Sequence, residues 1–148
     1  MNIRELDPSR DMAEWLRLRR GLFEDSTEAE HRQEMTEILA EVDGCVLVAE
    51  RPFRSHLAGF VVVGTRKYAE GCTSSPVAYL EEWLVDADVR RQGVGRLLIA
   101  AAEAWAVANG YTELASDTTL DNEISLASHL ALGFTEVERQ INFIKKLD

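Results

Sequence analysis

The chain has 148 residues, 46% hydrophobic and 28% charged, a globular composition long enough for a single domain around its own core. Sixteen Lys and Arg against 26 Asp and Glu give a formal charge of −10, which argues against nucleic acid, whose affinity comes from neutralised phosphates, and favours a cationic partner. No apolar run reaches membrane-spanning length, Met1–Leu6 contains no apolar targeting core, and Cys45 and Cys72 have no metal or disulfide spacing. A cytoplasmic protein without membrane contact is expected.

In chain order, Asn2–Leu6 reads as a short strand. Arg10–Leu22 places Met12, Trp15, Leu16 and Leu22 at helical spacing, with Phe23 just beyond. Thr27-x-x-Glu30 is a capping box opening a second helix, with His31, Met35, Ile38, Leu39 and Val42 on one stripe. Cys45–Glu50 and Leu57–Lys67 are strands joined by a turn at Arg51–Ser55, which together read as a hairpin. A loop at Ala69–Ser75 leads into a strand at Val77–Val85. The strongest helical pattern, Gly93–Asn109, lines Val94, Leu97, Leu98, Ala101, Ala104, Trp105 and Ala108 on one face and stops at Gly110. A strand at Thr112–Ala115, a helix at Asn122–Leu132 ended by Gly133, and one or two strands within Phe134–Lys146 follow. The order β-α-α-β-β-β-α-β-α-β defines a mixed α/β domain with one sheet.

Most of the chemical content lies in Arg90-Arg91-Gln92-Gly93-Val94-Gly95, between a strand and the best helix. Free N–H groups at a helix start form an anion site suited to a pyrophosphate, and the two glycines let a ligand approach the backbone. The Lys-Ser/Thr of a P-loop and the Gly-x-Gly-x-x-Gly of a dinucleotide fold are both missing. Arg-x-x-Gly-x-Gly after a strand resembles the acyl-CoA motif of GCN5-related N-acetyltransferases. The element order is also that superfamily's, and Asn122-x-x-Ser125-x-x-Ser128-His129-x-x-x-Gly133-Phe134 resembles its second signature. More closely, the chain resembles the aminoglycoside 6′-N-acetyltransferases. The residues that tie it to them are Trp15-Leu16-x-Leu18-Arg19, Ser75-Pro76-Val77-x-Tyr79-Leu80-Glu81, Ala115-Ser116-Asp117-Thr118-x-x-Asp121-Asn122 and Lys145-Lys146-Leu147-Asp148. Phe23, Thr73 and Glu82 stand where those relatives often have Trp, an acidic residue and Gly.

The resemblance implies a mixed, mostly antiparallel central sheet with flanking helices, acetyl-CoA as cosubstrate, no metal, and a homodimer. It also implies direct transfer of the acetyl group to the 6′-amine of an aminoglycoside. Glu81 becomes the candidate general base or amine positioner; the plain alternative is a strand glutamate paired with a cross-strand Arg or Lys. Strand alternation puts Glu81 on the face of Val85 and opposite Glu82. Asp117 becomes a substrate-ammonium ligand, with a turn or cap as its alternative. Val85 offers a backbone N–H to the thioester oxygen. Leu84 and Val85 lead into the cradle of Arg90, Arg91, Gln92, Gly93, Val94, Gly95 and Arg96, and Asn122 contacts the pantetheine arm or caps a helix. His129 is a candidate acid for the leaving thiolate or a satisfied helix histidine. Phe23 and Tyr68 are candidate aromatic walls for sugar rings. His31 and His56 lack partners at metal spacing. Two other readings stand beside this one: an acetyltransferase for another cationic amine, such as a polyamine or a protein N-terminus, and a non-catalytic acyl-CoA-binding module.

Overall fold

Five segments become β1 (Asn2–Glu5), β2 (Cys45–Glu50), β3 (Leu57–Arg66), β4 (Val77–Val85) and β5 (Leu114–Ser116), the middle three being the apolar runs rich in β-branched and aromatic residues. They are seen in a computed structural model that describes residues 1–53 and 56–148. The strands form one sheet in the order β1-β2-β3-β4-β5. The pairings are antiparallel except β4·β5, which is parallel; this is the expected mixed, mostly antiparallel sheet. β2 and β3 pair as the expected hairpin; residues 54 and 55 of its turn lie outside the described residues.

Among the described residues there are four helices, α1 (Met12–Leu22), α2 (Glu28–Ala40), α3 (Val94–Ala108) and α4 (Glu123–Ala131), with a 3-10 turn at Ala87–Val89 ahead of α3. One core lies between the sheet and α3, around Val61, Val63, Leu80, Leu98 and Ala102. The other lies between the sheet and α1 and α2, around Trp15, Leu18, Met35, Phe60 and Val62. The capping box at Thr27 forms as expected: its Oγ1 accepts the Glu30 N–H and the Glu30 carboxylate accepts the Thr27 N–H, both at 3.1 Å. Among the described residues no helix is long and apolar enough to cross a membrane.

Three sequence expectations need correction. In α2 only His31 and Met35 of the stripe are buried, while Leu39 is 38% and Val42 90% exposed. In α3 the buried set is Val94, Leu98, Ile99, Ala102 and Ala106, with Leu97 turned outward. A helix this rich in alanine has several faces of similar hydrophobicity, and the bulky Ile99 selects among them. The strands expected within Phe134–Lys146 are not formed: residues past Gly133 are assigned to no helix or strand, and Ile141, Phe143 and Ile144 stand exposed. The segment touches the rest of the chain where Val137 lies on Gly71.

A charged cluster ties α1 to the connection leaving β4. Arg17 donates to Glu14, to Asp86 and to the Leu57 carbonyl, while Arg51 donates to Asp86 and Asp88. Burial pushes the Glu14 carboxyl up, but hydrogen bonds from Arg17 and the Leu57 N–H outweigh it and bring the group down to about 2 from its ordinary 4.5. A carboxyl lowered in this way stabilises the fold above its unfolded pKa and loses that contribution as pH falls towards the folded one. Glu14→Gln should therefore weaken the protein at pH 7 and flatten the stability loss between pH 4.5 and about 2. Urea midpoints across that window check it; parallel curves for the two proteins would exclude a role for Glu14.

Candidate active site

The site is built where β4 outruns its parallel neighbour. β5 pairs with β4 only from Ala78↔Leu114 to Leu80↔Ser116, whereas β4 continues to Val85 along β3. The Leu84 carbonyl faces β3, since a Cβ on Gly59 would lie 2.6 Å from it. Backbone groups alternate along a strand, so the Val85 N–H points to the opposite side, where β5 has ended. Its carbonyl is met there by Arg90 Nε at 3.2 Å.

A bulge decides how the two glutamates are presented. Val62 pairs with Glu82 and Val63 with Leu80, leaving Glu81 as the extra residue in β4. Glu82 then faces α1, where Arg19 lies between Glu82 and Glu34. Glu81 lies over Gly64 on that same side, a Cβ at Gly64 being 3.4 Å from Glu81 Cγ. Strand alternation is thus broken: Glu81 and Glu82 share a face, and Val85 packs on the α3 side with the other core. Glu82 offers no free charge to a ligand. Burial pushes its carboxyl above the usual range, and the Arg19 guanidinium only partly pulls it back. Arg19 is itself fully buried, with its guanidinium 5.1 Å from the Phe23 ring centroid.

Glu81 meets the cross-strand arginine that was its plain alternative. Arg66 donates from Nε and Nη2 to its two oxygens at 2.8 and 2.7 Å. The same guanidinium lies 3.5 Å from the centroid of the Tyr79 ring, and the Tyr79 hydroxyl donates to Asp117 at 2.6 Å. Burial, and then the bond to Asp117, push the Tyr79 phenol up, so it remains a donor. Glu81 and Asp117 are thereby joined through two other side chains across the β4–β5 divergence. Tyr68, two residues beyond β3, is 68% exposed, and Phe23 at the end of α1 is 36% exposed. The loop from Tyr68 to β4 is held by Glu113, a residue no motif marks: its carboxylate accepts from the N–H groups of Thr73 and Ser74.

The turn into α3 has the form an anion site needs. Arg91 and Gly93 have φ of 62° and 82°, Gly93 is the N-cap without a side-chain bond, and the first helical bond runs from Leu97 N–H to Gly93 O. The N–H groups of Val94, Gly95 and Arg96 are therefore free of intrahelical partners. Gln92 and Arg96 are exposed and Val94 is core. Gly95 has a packing role as well, because a Cβ there would lie 3.1 Å from the Trp83 ring. The Trp83 ring also meets, edge-on with centroids 5.4 Å apart, the ring of His129. Its Nδ1 lies 2.7 Å from the Ser125 carbonyl and its Nε2 2.8 Å from Ser116 Oγ. Asn122 caps α4, its Oδ1 accepting the Ser125 N–H at 3.0 Å, and keeps its amide N–H donors. Among the described residues no group of three His, Cys, Asp or Glu side chains is placed to hold a metal.

A diverging strand pair beside a helix start with free N–H groups is an acyl-CoA architecture, and the chain matches the acetyltransferase (GNAT) family over residues 10–134. It belongs to that family. Within it, the chain is similar to the aminoglycoside N(6′)-acetyltransferase type 1 of Klebsiella aerogenes, 46% identical over 140 residues that cover 93% of this chain and 91% of that protein. Among solved structures, the aminoglycoside 6′-N-acetyltransferase AAC(6′)-IG of Acinetobacter haemolyticus matches with a TM-score of 0.90 at 38% identity over all of both chains. AAC(6′)-Iy bound to the bisubstrate analogue CoA-S-monomethyl-acetylneamine matches with a TM-score of 0.91 at 35% identity, over 99% of this chain and 98% of that one.

Proposed function

We propose that the protein is an acetyl-CoA-dependent aminoglycoside 6′-N-acetyltransferase that works by direct transfer within a ternary complex, as one domain spanning residues 1–148. The observation that carries this reading is the linked pair of carboxylates, Glu81 and Asp117, at the divergence of β4 and β5. Each is a strong ligand for a substrate ammonium, because charge-assisted hydrogen bonds are roughly twice as strong as neutral ones. Glu81 orients the reacting amine and takes its proton, directly or through water. Phe23 and Tyr68 flank the sugar rings. Val85 directs its N–H at the thioester oxygen, where charge develops during attack; the N–H lies in the sheet plane, so the side chain's place on the α3 face does not obstruct it.

The pyrophosphate of acetyl-CoA is held by the first-turn N–H groups of α3 together with Gln92, Gly93, Arg90, Arg91 and Arg96. Leu84, Val85 and the Asn122 amide line the pantetheine arm. His129 meets the Ser125 carbonyl at Nδ1 and Ser116 Oγ at Nε2, so as an acid for the leaving thiolate it acts through a relay in which the protonated ring passes Nε2–H to Ser116 Oγ while the Ser116 hydroxyl proton passes to sulfur. Neither cysteine is a nucleophile for an acetyl-enzyme. Burial pushes the Cys45 thiol up to about 12 and also raises that of Cys72, whereas the reactive form is the thiolate. Free thiols and the use of acetyl-CoA favour a cytoplasmic location. A homodimer is supported by the exposed Ile141, Phe143 and Ile144, apolar residues in a segment whose sequence has a strand-like pattern. Light scattering on the full chain reads the mass that decides it, and a monomer would exclude the dimer.

A thiol-release assay tests the activity. Kanamycin or tobramycin should release CoA from acetyl-CoA. Turnover with a polyamine or a peptide alone would identify the other-amine enzyme, and acetyl-CoA binding without any release would identify a binding module. Asp117→Asn should raise KM for the aminoglycoside and spare KM for acetyl-CoA. The loss is that of a charge-assisted bond, about 1.5–3 kcal/mol. An unchanged aminoglycoside KM would remove Asp117 from the site.

A further inference from the structure

The proposal concerns Arg66, and it rests on the reading of Glu81 and Asp117 as the acceptor carboxylates. The Glu81 side chain has a groove for its stem and a clamp for its head. Its Cγ lies against Gly64, where no side chain intrudes, and both carboxylate oxygens receive donors from the Arg66 guanidinium. The clamp is itself seated. The guanidinium rests on the face of the Tyr79 ring at 3.5 Å, and that ring is buried, with its hydroxyl fixed on Asp117. A planar guanidinium that chelates both oxygens, and is itself stacked on an aromatic face, leaves the carboxylate fewer rotamers than a free glutamate has.

From this geometry we infer that Arg66 is a positioning residue for the acetyl transfer: seated on Tyr79, it sets the orientation of Glu81 and fixes it relative to Asp117. Both carboxylates belong to one connected unit, Gly64–Glu81–Arg66–Tyr79–Asp117, built across β3, β4 and the end of β5. Each Glu81 oxygen keeps a further lone pair for a substrate N–H, so the clamp and the substrate are held together and not in competition. Lys is a poor replacement, since one ammonium does not chelate two oxygens and does not stack on the ring as a guanidinium does.

The experiment is steady-state kinetics on the full chain with tobramycin and acetyl-CoA. Arg66→Gln should lower kcat on the order of tenfold to a hundredfold, the scale on which small misplacements of a reacting group are felt. KM for acetyl-CoA and the acetyl-CoA-induced rise in melting temperature should be unchanged, which shows a folded protein with an intact cofactor site. Arg66→Lys should recover only part of the loss. The double variant Glu81→Gln with Arg66→Gln should be no slower than Glu81→Gln alone, because a residue that acts through Glu81 has nothing left to orient. Tyr79→Phe keeps the seat and loses the bond to Asp117, so it should raise aminoglycoside KM and leave kcat within a few fold. If Arg66→Gln keeps kcat and lowers aminoglycoside KM, the guanidinium is a competitor for the ammonium and the proposal is wrong. Fully additive losses in the double variant overturn it as well. If Glu81→Gln and Asp117→Asn are both without effect, the acceptor reading itself fails, a result distinct from either of those two.

Discussion

Glu81→Gln should lower kcat by roughly 10²–10⁴, the span of general acid–base catalysis, with a smaller rise in aminoglycoside KM. Gln keeps the shape of the side chain and one oxygen for Arg66, so the bulge in β4 and the seat on Tyr79 remain. What it removes is the ability to take a proton and the full negative charge that orients an ammonium. The ascending limb of the pH–rate profile should change with it. A pure positioner would show the opposite division: raised KM with kcat within about tenfold, the mark of lost uniform binding. The weight falls on kcat because Glu81 lies on the bulge, next to the stretch of β4 that β5 leaves unpaired and that leads to the Val85 N–H. Wild-type values for both parameters would remove Glu81 from the reaction and count against the aminoglycoside as substrate.

Much of this arrangement was legible in the residues, and what was not has identifiable causes. The strand–turn–helix around Gly93 reads directly, because an arginine-rich turn with two glycines between an apolar strand and a periodic helix has few other uses. The capping box at Thr27 and the β2–β3 hairpin read for the same local reasons. The bulge at Glu81 did not. Val77–Val85 is apolar on both faces except for its two glutamates, so alternation gives no register, and one extra residue reverses every later side chain. The buried Arg19–Glu82 pair was hidden because charged residues ordinarily face water. The available signal was a glutamate inside an apolar strand together with an arginine inside the apolar period of α1. Glu113 had no signal, since its role is to accept backbone N–H groups of a loop some 40 positions earlier in the chain. The failed expectation for Phe134–Lys146 has a different cause: a strand pattern states that a segment suits pairing, and pairing also needs an edge at the right place.

Gly93→Val should abolish the stabilisation of the protein by acetyl-CoA and raise KM for acetyl-CoA by at least an order of magnitude, while KM for the aminoglycoside changes little. Gly93 is the N-cap of α3 at φ 82°, a conformation that costs a β-branched residue about 1–2 kcal/mol. Nothing beyond its neighbours along the chain lies within 4 Å of the position its Cβ would take. The substitution therefore leaves the core intact and acts on the turn, turning away the N–H groups that meet the pyrophosphate and putting a side chain in their path. Gly95→Val is the informative contrast. Its added atoms press on the Trp83 ring, and overpacking of this kind costs roughly 1–3 kcal/mol of fold stability whatever the ligand. The two glycines of one motif should thus separate by measurement. Both variants should melt below the wild type, Gly93→Val through its positive φ and Gly95→Val through the Trp83 contact, but only Gly93→Val should lose the further rise in melting temperature that acetyl-CoA gives. A normal acetyl-CoA response in Gly93→Val would remove this turn from the cofactor site. With it would go the argument that the free N–H groups at the start of α3, and not the surface arginines beside them, are the principal ligands of the phosphates.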